Sequence, residues 1–337
     1  MTIRDIAKNL GVSYSTVSRC LNNDPKVSDK TKKRVIDEAN RMGFTFNMNA
    51  RSLVTKKSNR IGIIFSNNFN SEDFRWFFNE IETYSTTEIE KYGYDFIIQP
   101  NKNHAGISNI NRLVKSNMVD GLAIFSRDIT QQEYEFLNSC KIPHVYVYYK
   151  PPCENIVLDN FFWDDNEYGG YMATKHLIEN GHKKILTIRS SDSMQKMYED
   201  RTKGYLSAMA ENDLEPHIIK THMGFEETKE MFKDKFEYLL QFTAIFSQQD
   251  LPALSLIQEF NKKGIYVPKD ISFVGYNNIK LIKYLQIPLD VMHDSRQKII
   301  ENAIKFLIYK IEGKEDIIAR KMYPKLIVRN SVKNLNT

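Results

Sequence analysis

The sequence predicts a small all-α helix-turn-helix head followed by a larger, two-lobed α/β core built from parallel, doubly wound sheets. Two observations support this prediction. Residues 1–60 contain 13 Lys and Arg but only 5 Asp and Glu, whereas the rest of the 337-residue chain is weakly acidic. After residue 60, short apolar runs alternate with amphipathic stretches, which indicates strands alternating with helices. Positive charge gathered at one end favours a polyanion as the partner of that end.

The head contains three predicted helices. Thr2 and Asp5 form a capping-box-like start for the first, which Gly11 ends. Ser13 is a good N-cap for the second helix, and Ser28 is a good N-cap for the third. A short turn between the first two helices is the layout that places the second helix in a major groove of DNA.

The second helix would present polar side chains to the edges of bases. Arg can bond both acceptors of guanine, and Tyr and Ser offer hydroxyl groups. Lysines on the third helix more often contact phosphates, which adds affinity without sequence information. The predicted DNA contacts of the helices are Tyr14, Ser15, Thr16, Ser18, Arg19, Asn22, Lys30 and Lys33. A three-helix bundle with a solvated basic face is the alternative.

The core begins with the apolar run IGIIF. Strands are predicted at 61–65, 94–99, 121–125, 144–148, 184–189, 217–221, 244–248 and 271–276. Helices are predicted near 72–92, 107–117, 131–139, 165–180, 199–212, 226–241, 251–263 and 295–312. This alternation implies parallel sheets with crossover connections, and its length favours two lobes. In such folds, ligands bind at the carboxyl ends of the strands.

Several other classes of protein are disfavoured. No apolar run approaches the roughly 18 residues of a membrane span, and the N-terminus lacks a signal-peptide core, so we expect a cytoplasmic protein. Cys20, Cys140 and Cys153 lack CxxC spacing, which argues against a disulfide framework or a zinc site. No phosphate-binding loop, dinucleotide-binding fingerprint, metalloprotease motif or nucleophile elbow occurs. We therefore expect no cofactor, no metal and no enzymatic activity.

A long motif runs through the first residues of the chain. It is T-I-R-D-I-A-K-N-L-G-V-S-x-S-T-V-S-R-x-L-N-N, followed by V-S-x-x-T, R-V-I, G-F and N-M-N-A-R-S-L. This motif resembles the DNA-binding head of the lactose/galactose-repressor family of bacterial transcription factors. The resemblance makes Tyr14, Ser15 and Arg19 the specificity positions of the recognition helix. It implies a helix-turn-helix domain at 1–46 and a hinge helix with a linker at 47–60.

The resemblance gives the hinge a specific role. In the family, a hinge helix folds on operator DNA, and the hinge helices of two subunits pair and enter the minor groove. The implied hinge contacts are Asn47, Ala50, Arg51 and Leu53, with Leu53 wedged between base pairs. Packing of Leu53 against the head is the alternative. Phe46 stands where the family usually has proline. Paired hinges imply a homodimer on a pseudo-palindromic operator.

Motifs in the remaining 61–337 segment extend the resemblance to an effector-binding and dimerisation domain. The first is L-D-N at 158–160, which matches the strand following the first lobe. The others are G-G-Y-x-A-T-K-H-L-I-E-N-G-H-K-K-I at 169–185, R-x-x-G-Y at 201–205, A-I-F-S-x-x-D at 244–250 and V-P-K-D-I-S-F-V-G-Y at 267–276. Together they make this part similar to the core of the same family, which resembles periplasmic sugar-binding proteins.

The resemblance implies a small effector bound between the two lobes. Arg201 is expected to bond it, a structural salt bridge being the alternative. Gln249 stands where many relatives have Asn or Ser, and Asn277 where many have Asp. An amide binds a hydroxyl group more weakly than a carboxylate does. With Asn in place of Asp at position 277, Arg201 lacks its acidic neighbour, and an anionic ligand becomes more plausible. Phe74, Trp76, Phe162 and Trp163 could stack on a sugar ring, packing being the alternative, and Phe74 and Trp163 are the two assigned to the effector site.

These observations predict a repressor of a sugar-utilisation operon, controlled by a sugar such as galactose or a galactoside, or by a sugar phosphate. A carbon-catabolite regulator with a protein corepressor is the alternative. A sugar-binding protein or an enzyme fused to a basic head is disfavoured. The sequence leaves open whether the effector releases the repressor from DNA or promotes its binding.

Overall fold

The computed structural model describes residues 2–21, 24, 26–44, 57–67, 72–153, 158–190, 195–221, 224–284 and 288–336. The chain forms two compact units, Met1–Ser58 and Asn59–Thr337, which we call the head and the core. Several predicted DNA contacts lie outside the described residues: Asn22, Asn47, Ala50, Arg51 and Leu53.

The head consists of α1 (Ile3–Leu10), α2 (Tyr14–Leu21) and α3 (Asp29–Arg41). The predicted capping box is present, since the backbone N–H of Thr2 donates to the Asp5 carboxylate over 2.8 Å. Gly11 ends α1 in the left-handed region with φ 64°, a conformation that favours glycine. One apolar side chain from each helix, Ile6, Val17 and Val35, is buried between them.

The core alternates strands and helices as predicted. In chain order its elements are β1 (Arg60–Phe65), α4 (Glu72–Lys91), β2 (Asp95–Pro100), β3 (Asn103–His104), β4 (Ile107–Ser108), α5 (Asn109–Lys115), β5 (Gly121–Phe125), α6 (Gln131–Cys140), β6 (His144–Val147), β7 (Phe161–Asp164), α7 (Asn166–Glu179), β8 (Ile185–Ser190), α8 (Gln195–Ala210), β9 (His217–Thr221), α9 (Phe225–Phe232), α10 (Phe236–Leu239), β10 (Ala244–Ser247), α11 (Asp250–Lys262), β11 (Ser272–Tyr276), a 3₁₀ turn (Lys280–Tyr284), β12 (Asp290–His293), α12 (Arg296–Glu312), β13 (Lys321–Met322) and β14 (Lys325–Ile327).

These strands form one sheet in each lobe. The sheet of lobe 1 has the order β13-β7-β6-β5-β1-β2, and its strand pairs are parallel. The sheet of lobe 2 has the order β14-β12-β11-β10-β8-β9, with β14 antiparallel to β12. The chain passes between the lobes at residues 164–166, 293–296 and 322–325. The carboxyl ends of β7 and β12 therefore lie at these connections.

Three details of the sequence prediction need correction. The L-D-N segment at 158–160 is not a strand, because Asp159 and Asn160 form a turn and pairing with β6 begins at Phe161. The helix predicted at 226–241 is divided into α9 and α10. The short strands β3, β4, β12, β13 and β14 were not predicted, since two to four residues carry little periodic signal. Strand β4 occupies the first two residues of the helix predicted near 107–117.

Within the described ranges, none of the helices combines the length and the apolar character needed to cross a membrane.

Candidate DNA-reading helix and interlobe site

Helix α2 presents a polar outer face. Its N-terminus is capped by Ser13, whose hydroxyl accepts a hydrogen bond from the Thr16 N–H over 3.1 Å. Its inner side carries the buried Val17, while Tyr14 on the outer side is 55% exposed. The Arg19 side chain is 62% exposed, with its Nε 4.0 Å from an Asp24 carboxylate oxygen. An ion pair this long and this exposed holds the guanidinium weakly, so it remains accessible to a partner.

The other described DNA candidates differ in exposure. Ser15, Lys30 and Lys33 are exposed, whereas Thr16 and Ser18 are half-buried. The Thr16 hydroxyl lies 2.8 Å from the Ser13 hydroxyl, which ties it to the helix start. The geometry of the head thus offers exposed side chains from α2 and lysines from α3, while Thr16 mainly supports the turn.

Arg201 on α8 is the main residue of the candidate interlobe site and is only 2% exposed. Its Nε donates to the Asn166 side-chain oxygen over 2.8 Å, and its Nη1 donates to the Gln248 carbonyl over 2.5 Å. The Asn277 side-chain oxygen accepts from Nη2 over 3.4 Å. The guanidinium carbon also lies 3.5 Å from the centre of the Tyr276 ring, a close cation–π contact. Arg201 is therefore fixed in position by the protein itself.

Two glycines explain how Arg201 reaches this position. A Cβ at Gly170 on α7 would overlap the Arg201 carbonyl, and a Cβ at Gly204 on α8 would overlap the Glu167 carbonyl. Helices α7 and α8 therefore pack backbone against backbone. This close approach brings Arg201 within hydrogen-bonding distance of Asn166, at the start of α7.

The two amide candidates flank Arg201. Gln249 is half-buried, and its amide nitrogen donates to the Tyr198 hydroxyl. Its carbonyl oxygen is buried and has no hydrogen-bond donor among the described residues. Asn277 has φ 103°, outside the usual range for a side-chain-bearing residue, and its backbone N–H donates to the Met292 carbonyl. The structure thus brings Arg201 and Asn277 into contact.

The aromatic candidates are not placed beside Arg201 by any described contact. Trp163 on β7 is half-buried and stacks on Phe161, with ring centres 4.9 Å apart and planes 6° apart. Because side chains alternate along a strand, Trp163 and Asp164 point to opposite faces of the sheet. The side chain of Phe74 lies outside the described residues. Their roles in stacking on a ligand remain predictions.

The structure adds an acidic cluster that the sequence did not single out. Asp164 ends β7 and is 3% exposed, and Asp294 follows β12 and is 7% exposed. Arg296, at the first position of α12, is 3% exposed and forms ion pairs with Asp294 over 2.6 Å and with Glu80 on α4. Nothing in the local sequence distinguishes these residues from surface charges, because they converge only through the lobe connections.

Charges in this region influence one another strongly. Burial raises the pKa of Asp164 well above its ordinary value, the Asp294 charge adds to the shift, and Arg201 opposes it. Burial also raises the pKa of Asp250, at the start of α11, to about 7, although the hydrogen bond that its carboxylate accepts from the Ile279 N–H lowers this pKa. Asp164 and Asp294 together therefore place negative charge near Arg201, and the reason for favouring an anionic ligand disappears.

Comparisons with known proteins agree with this arrangement. The family model "Bacterial regulatory proteins, lacI family" matches residues 2–47, and the model "Periplasmic binding protein-like domain" matches residues 174–332. The HTH-type transcriptional repressor PurR of Vibrio parahaemolyticus is 32% identical over 347 residues, covering 99% of each chain. The lac repressor dimer bound to operator has a TM-score of 0.79 at 19% identity, covering 99% of each chain. The CelR–cellobiose complex has a TM-score of 0.66 at 21% identity, covering 98% of this chain and 99% of that one.

Proposed function

Because the chain belongs to the lacI family of bacterial regulatory proteins, we propose that a neutral small molecule bound between its lobes controls the affinity of its dimer for a pseudo-palindromic operator. The family consists of DNA-binding transcriptional regulators with an effector domain, and the related repressors are not enzymes. The operator geometry, the dimer and the identity of the effector are the parts that require testing.

In this proposal α2 contacts base edges and α3 contacts phosphates. The exposed Arg19 and Tyr14 have the chemistry for the first task, and Lys30 and Lys33 for the second. The segment 47–53 would act as the hinge through which lobe movement changes the spacing of two heads. A dimer presents two copies of α2 related by a twofold axis, which is why the operator should be pseudo-palindromic.

The observation that carries the effector proposal is the balance of charge around Arg201. Two buried arginines, Arg201 and Arg296, lie among the carboxylates of Asp164, Asp294 and Glu80. A phosphate group would add about two negative charges to a region already supplied with carboxylates, and burying them unpaired would be costly. A neutral molecule with several hydroxyl groups avoids this cost.

Hydrogen-bonding capacity supports the same class of ligand. Arg201 has five N–H groups and uses three of them in the bonds to Asn166, Gln248 and Asn277. The buried carbonyl oxygen of Gln249 accepts nothing among the described residues. Hydroxyl groups both donate and accept, so they match this mixture. We therefore propose a neutral sugar and place sugar phosphates second.

A thermal-shift screen of the full chain tests the effector class. Galactose, a methyl galactoside and galactose 1-phosphate would be compared at equal ionic strength, each with the wild-type chain and with Arg201→Lys. We expect a neutral sugar to raise the melting temperature of the wild type, and the variant to lose most of the rise because Lys lacks the planar fork. Stabilisation by the phosphate alone would contradict the neutral effector.

Selection from a random DNA library tests the head and the dimer. The full chain should enrich a pseudo-palindrome, and two chains should bind each duplex. A sugar that stabilises the core should then change operator affinity in the wild type but not in Arg201→Lys. Enrichment of an asymmetric sequence, or binding of one chain per duplex, would refute the dimeric mode.

A further inference from the structure

Two buried aspartates, Asp164 and Asp294, lie at the connections where the chain crosses between the lobes. The Asp164 carboxylate accepts a hydrogen bond from the Ser295 N–H over 3.0 Å through Oδ2. Asp294, one residue before Ser295, accepts from Arg296 Nη2 over 2.6 Å through its own Oδ2. The remaining Oδ1 atoms of both aspartates are buried and have no hydrogen-bond partner among the described residues.

The positive charges nearby do not neutralise both carboxylates. Arg296 forms its ion pairs with Asp294 and Glu80. Arg201 donates its hydrogen bonds to the neutral oxygens of Asn166, Gln248 and Asn277, and it acts on Asp164 only at longer range. Within the described residues, Asp164 therefore has no ion-pair partner within 4.0 Å, although it is almost fully buried.

Charged and titratable side chains from several elements surround Asp164 and Asp294. These side chains act on Asp164 or on its partner Asp294. They come from the connection after β12, from α12, α8, α4 and α11, and from the ends of β6 and β11. They are Asp294, Arg296, Arg201, Glu80, Asp250, Tyr148 and Tyr276. The Tyr148 hydroxyl donates to the Arg296 carbonyl over 3.4 Å, so it does not serve Asp164. Asp294 is the carboxylate that faces it most strongly.

We propose that Asp164 is protonated in the folded chain and donates this shared proton to the Asp294 carboxylate, and that the carboxylic acid–carboxylate pair links two of the lobe connections. The shared proton gives each orphaned oxygen a partner and removes one of two adjacent buried negative charges. Two carboxylates in one buried site generally cannot both ionise, which is the physical reason for the shared proton.

The pair makes the lobe arrangement sensitive to pH. Asp164 belongs to the connection at 164–166 and Asp294 to the connection at 293–296. Loss of the proton leaves two negative charges that repel each other and push these connections apart. Any effector that moves the lobes would then take up or release a proton. This regulatory consequence rests on the proposed function, whereas the shared proton does not.

The sign of the pH effect follows from the raised pKa of Asp164 in the folded chain. The unfolded chain loses this proton near the ordinary aspartate pKa of about 3.9. The folded chain keeps it to higher pH. The stabilisation is therefore fully present below about pH 4, and it is lost as the pH rises through the raised value.

Urea unfolding of the full chain at about pH 5 and about pH 7 tests the pair. Tryptophan fluorescence reports on the core, because both tryptophans, Trp76 and Trp163, belong to it. The matched variants are Asp164→Asn, which is neutral at every pH, and Asp165→Asn. Asp165 is the adjacent carboxylate, paired over 2.6 Å with Lys321.

In both proteins the equilibrium constant for unfolding is measured as a function of pH. For each pH unit, we expect it to rise about ten times more in the wild type than in Asp164→Asn, because one proton is linked to folding. Asp165→Asn should keep the steep dependence. Equal dependence in the wild type and in Asp164→Asn would overturn the proposal. If Asp164→Asn fails to fold, a carbon-13 NMR titration of the wild-type aspartates decides the matter. The pKa of Asp250 is also raised, so two aspartate carboxyls must titrate well above the others. A single high-titrating carboxyl that disappears in Asp250→Asn would overturn the proposal. This test uses no effector, so a failed sugar screen would leave its result intact.

Discussion

Two arginines, Arg19 in the head and Arg201 in the core, are proposed to bind the protein's two partners in opposite ways. Arg19 is 62% exposed and has one distant carboxylate nearby. Arg201 is 2% exposed and is held by three hydrogen bonds and an aromatic ring. A large, rigid partner such as a DNA duplex can reach an exposed side chain and supply its hydrogen bonds. A small ligand has few groups to offer, so its site must be ordered before it arrives.

The two sites also differ in how they are assembled. The proposed DNA-reading face comes from one eight-residue helix, α2. The partners of Arg201 lie 35, 47 and 76 positions away along the chain. Mutations should therefore act locally in the head and through tertiary packing in the core.

The largest effect should come from Arg201→Ala. Removing a buried guanidinium leaves its acceptors unsatisfied and Asp164 without its opposing charge, so we expect the free energy of unfolding of the core to fall by about 3–5 kcal/mol. Urea unfolding followed by tryptophan fluorescence measures it. Arg19→Ala is the matched control and should leave core stability unchanged. A loss below about 1 kcal/mol would show that Arg201 is not fixed by its neighbours.

Gly170→Ala should come next. The added Cβ would overlap the Arg201 backbone, so helix α8 must move away from α7. We expect a loss of about 3 kcal/mol in core stability, at the upper end for overpacking because backbone must shift. Ser207→Ala, at an exposed position on α8, should change stability by less than about 0.5 kcal/mol. Equal effects of the two changes would argue against the close helix packing.

Arg19→Ala should reduce the discrimination between operator and random DNA by about 2 kcal/mol, because a bidentate contact to guanine is lost. Competition binding at fixed salt measures this difference. Lys33→Ala should instead weaken binding to both DNAs equally and lower the slope of log affinity against log salt by about one. If the ratio of operator affinity to random-DNA affinity falls equally in both variants, Arg19 does not contact base edges.

Ser13→Ala should have the smallest effect. It removes the hydrogen bond to the Thr16 N–H, so we expect the start of α2 to lose about 1 kcal/mol. In the full chain, amide hydrogen exchange at the start of α2 should become about fivefold faster, and exchange in the core should not change. Ser15→Ala keeps this cap and should have little effect. Unchanged exchange in Ser13→Ala would mean that packing of Val17 alone holds the helix.

Local patterns were enough to predict most elements of the fold. Helix caps at Thr2 and Ser13 and the left-handed Gly11 are confirmed, because each depends on residues only a few positions apart. The short strand β7 was misplaced, and with it Asp164 was overlooked. The boundary was hidden because a four-residue strand next to a turn has no clear period.

The interlobe site was only partly predictable. Arg201 and Asn277 were proposed from sequence and lie in contact in the structure. Asp164, Asp294 and Arg296 were not proposed, since each looks like an ordinary charged residue at the end of an element. Their burial, and the negative charge that Asp164 and Asp294 place near Arg201, changed the proposed ligand from one that could be anionic to one that is neutral.

The sequence alone determined that this protein has a basic helix-turn-helix head and an alternating α/β core, and it pointed to the family, because charge, caps and periodicity are local properties of the chain. The tertiary structure decided which charges meet. Asp164, Asp294, Arg296 and Arg201 converge only where the chain crosses between two sheets. Electrostatic energy depends on distance and burial in three dimensions, and neither can be read from positions along the chain.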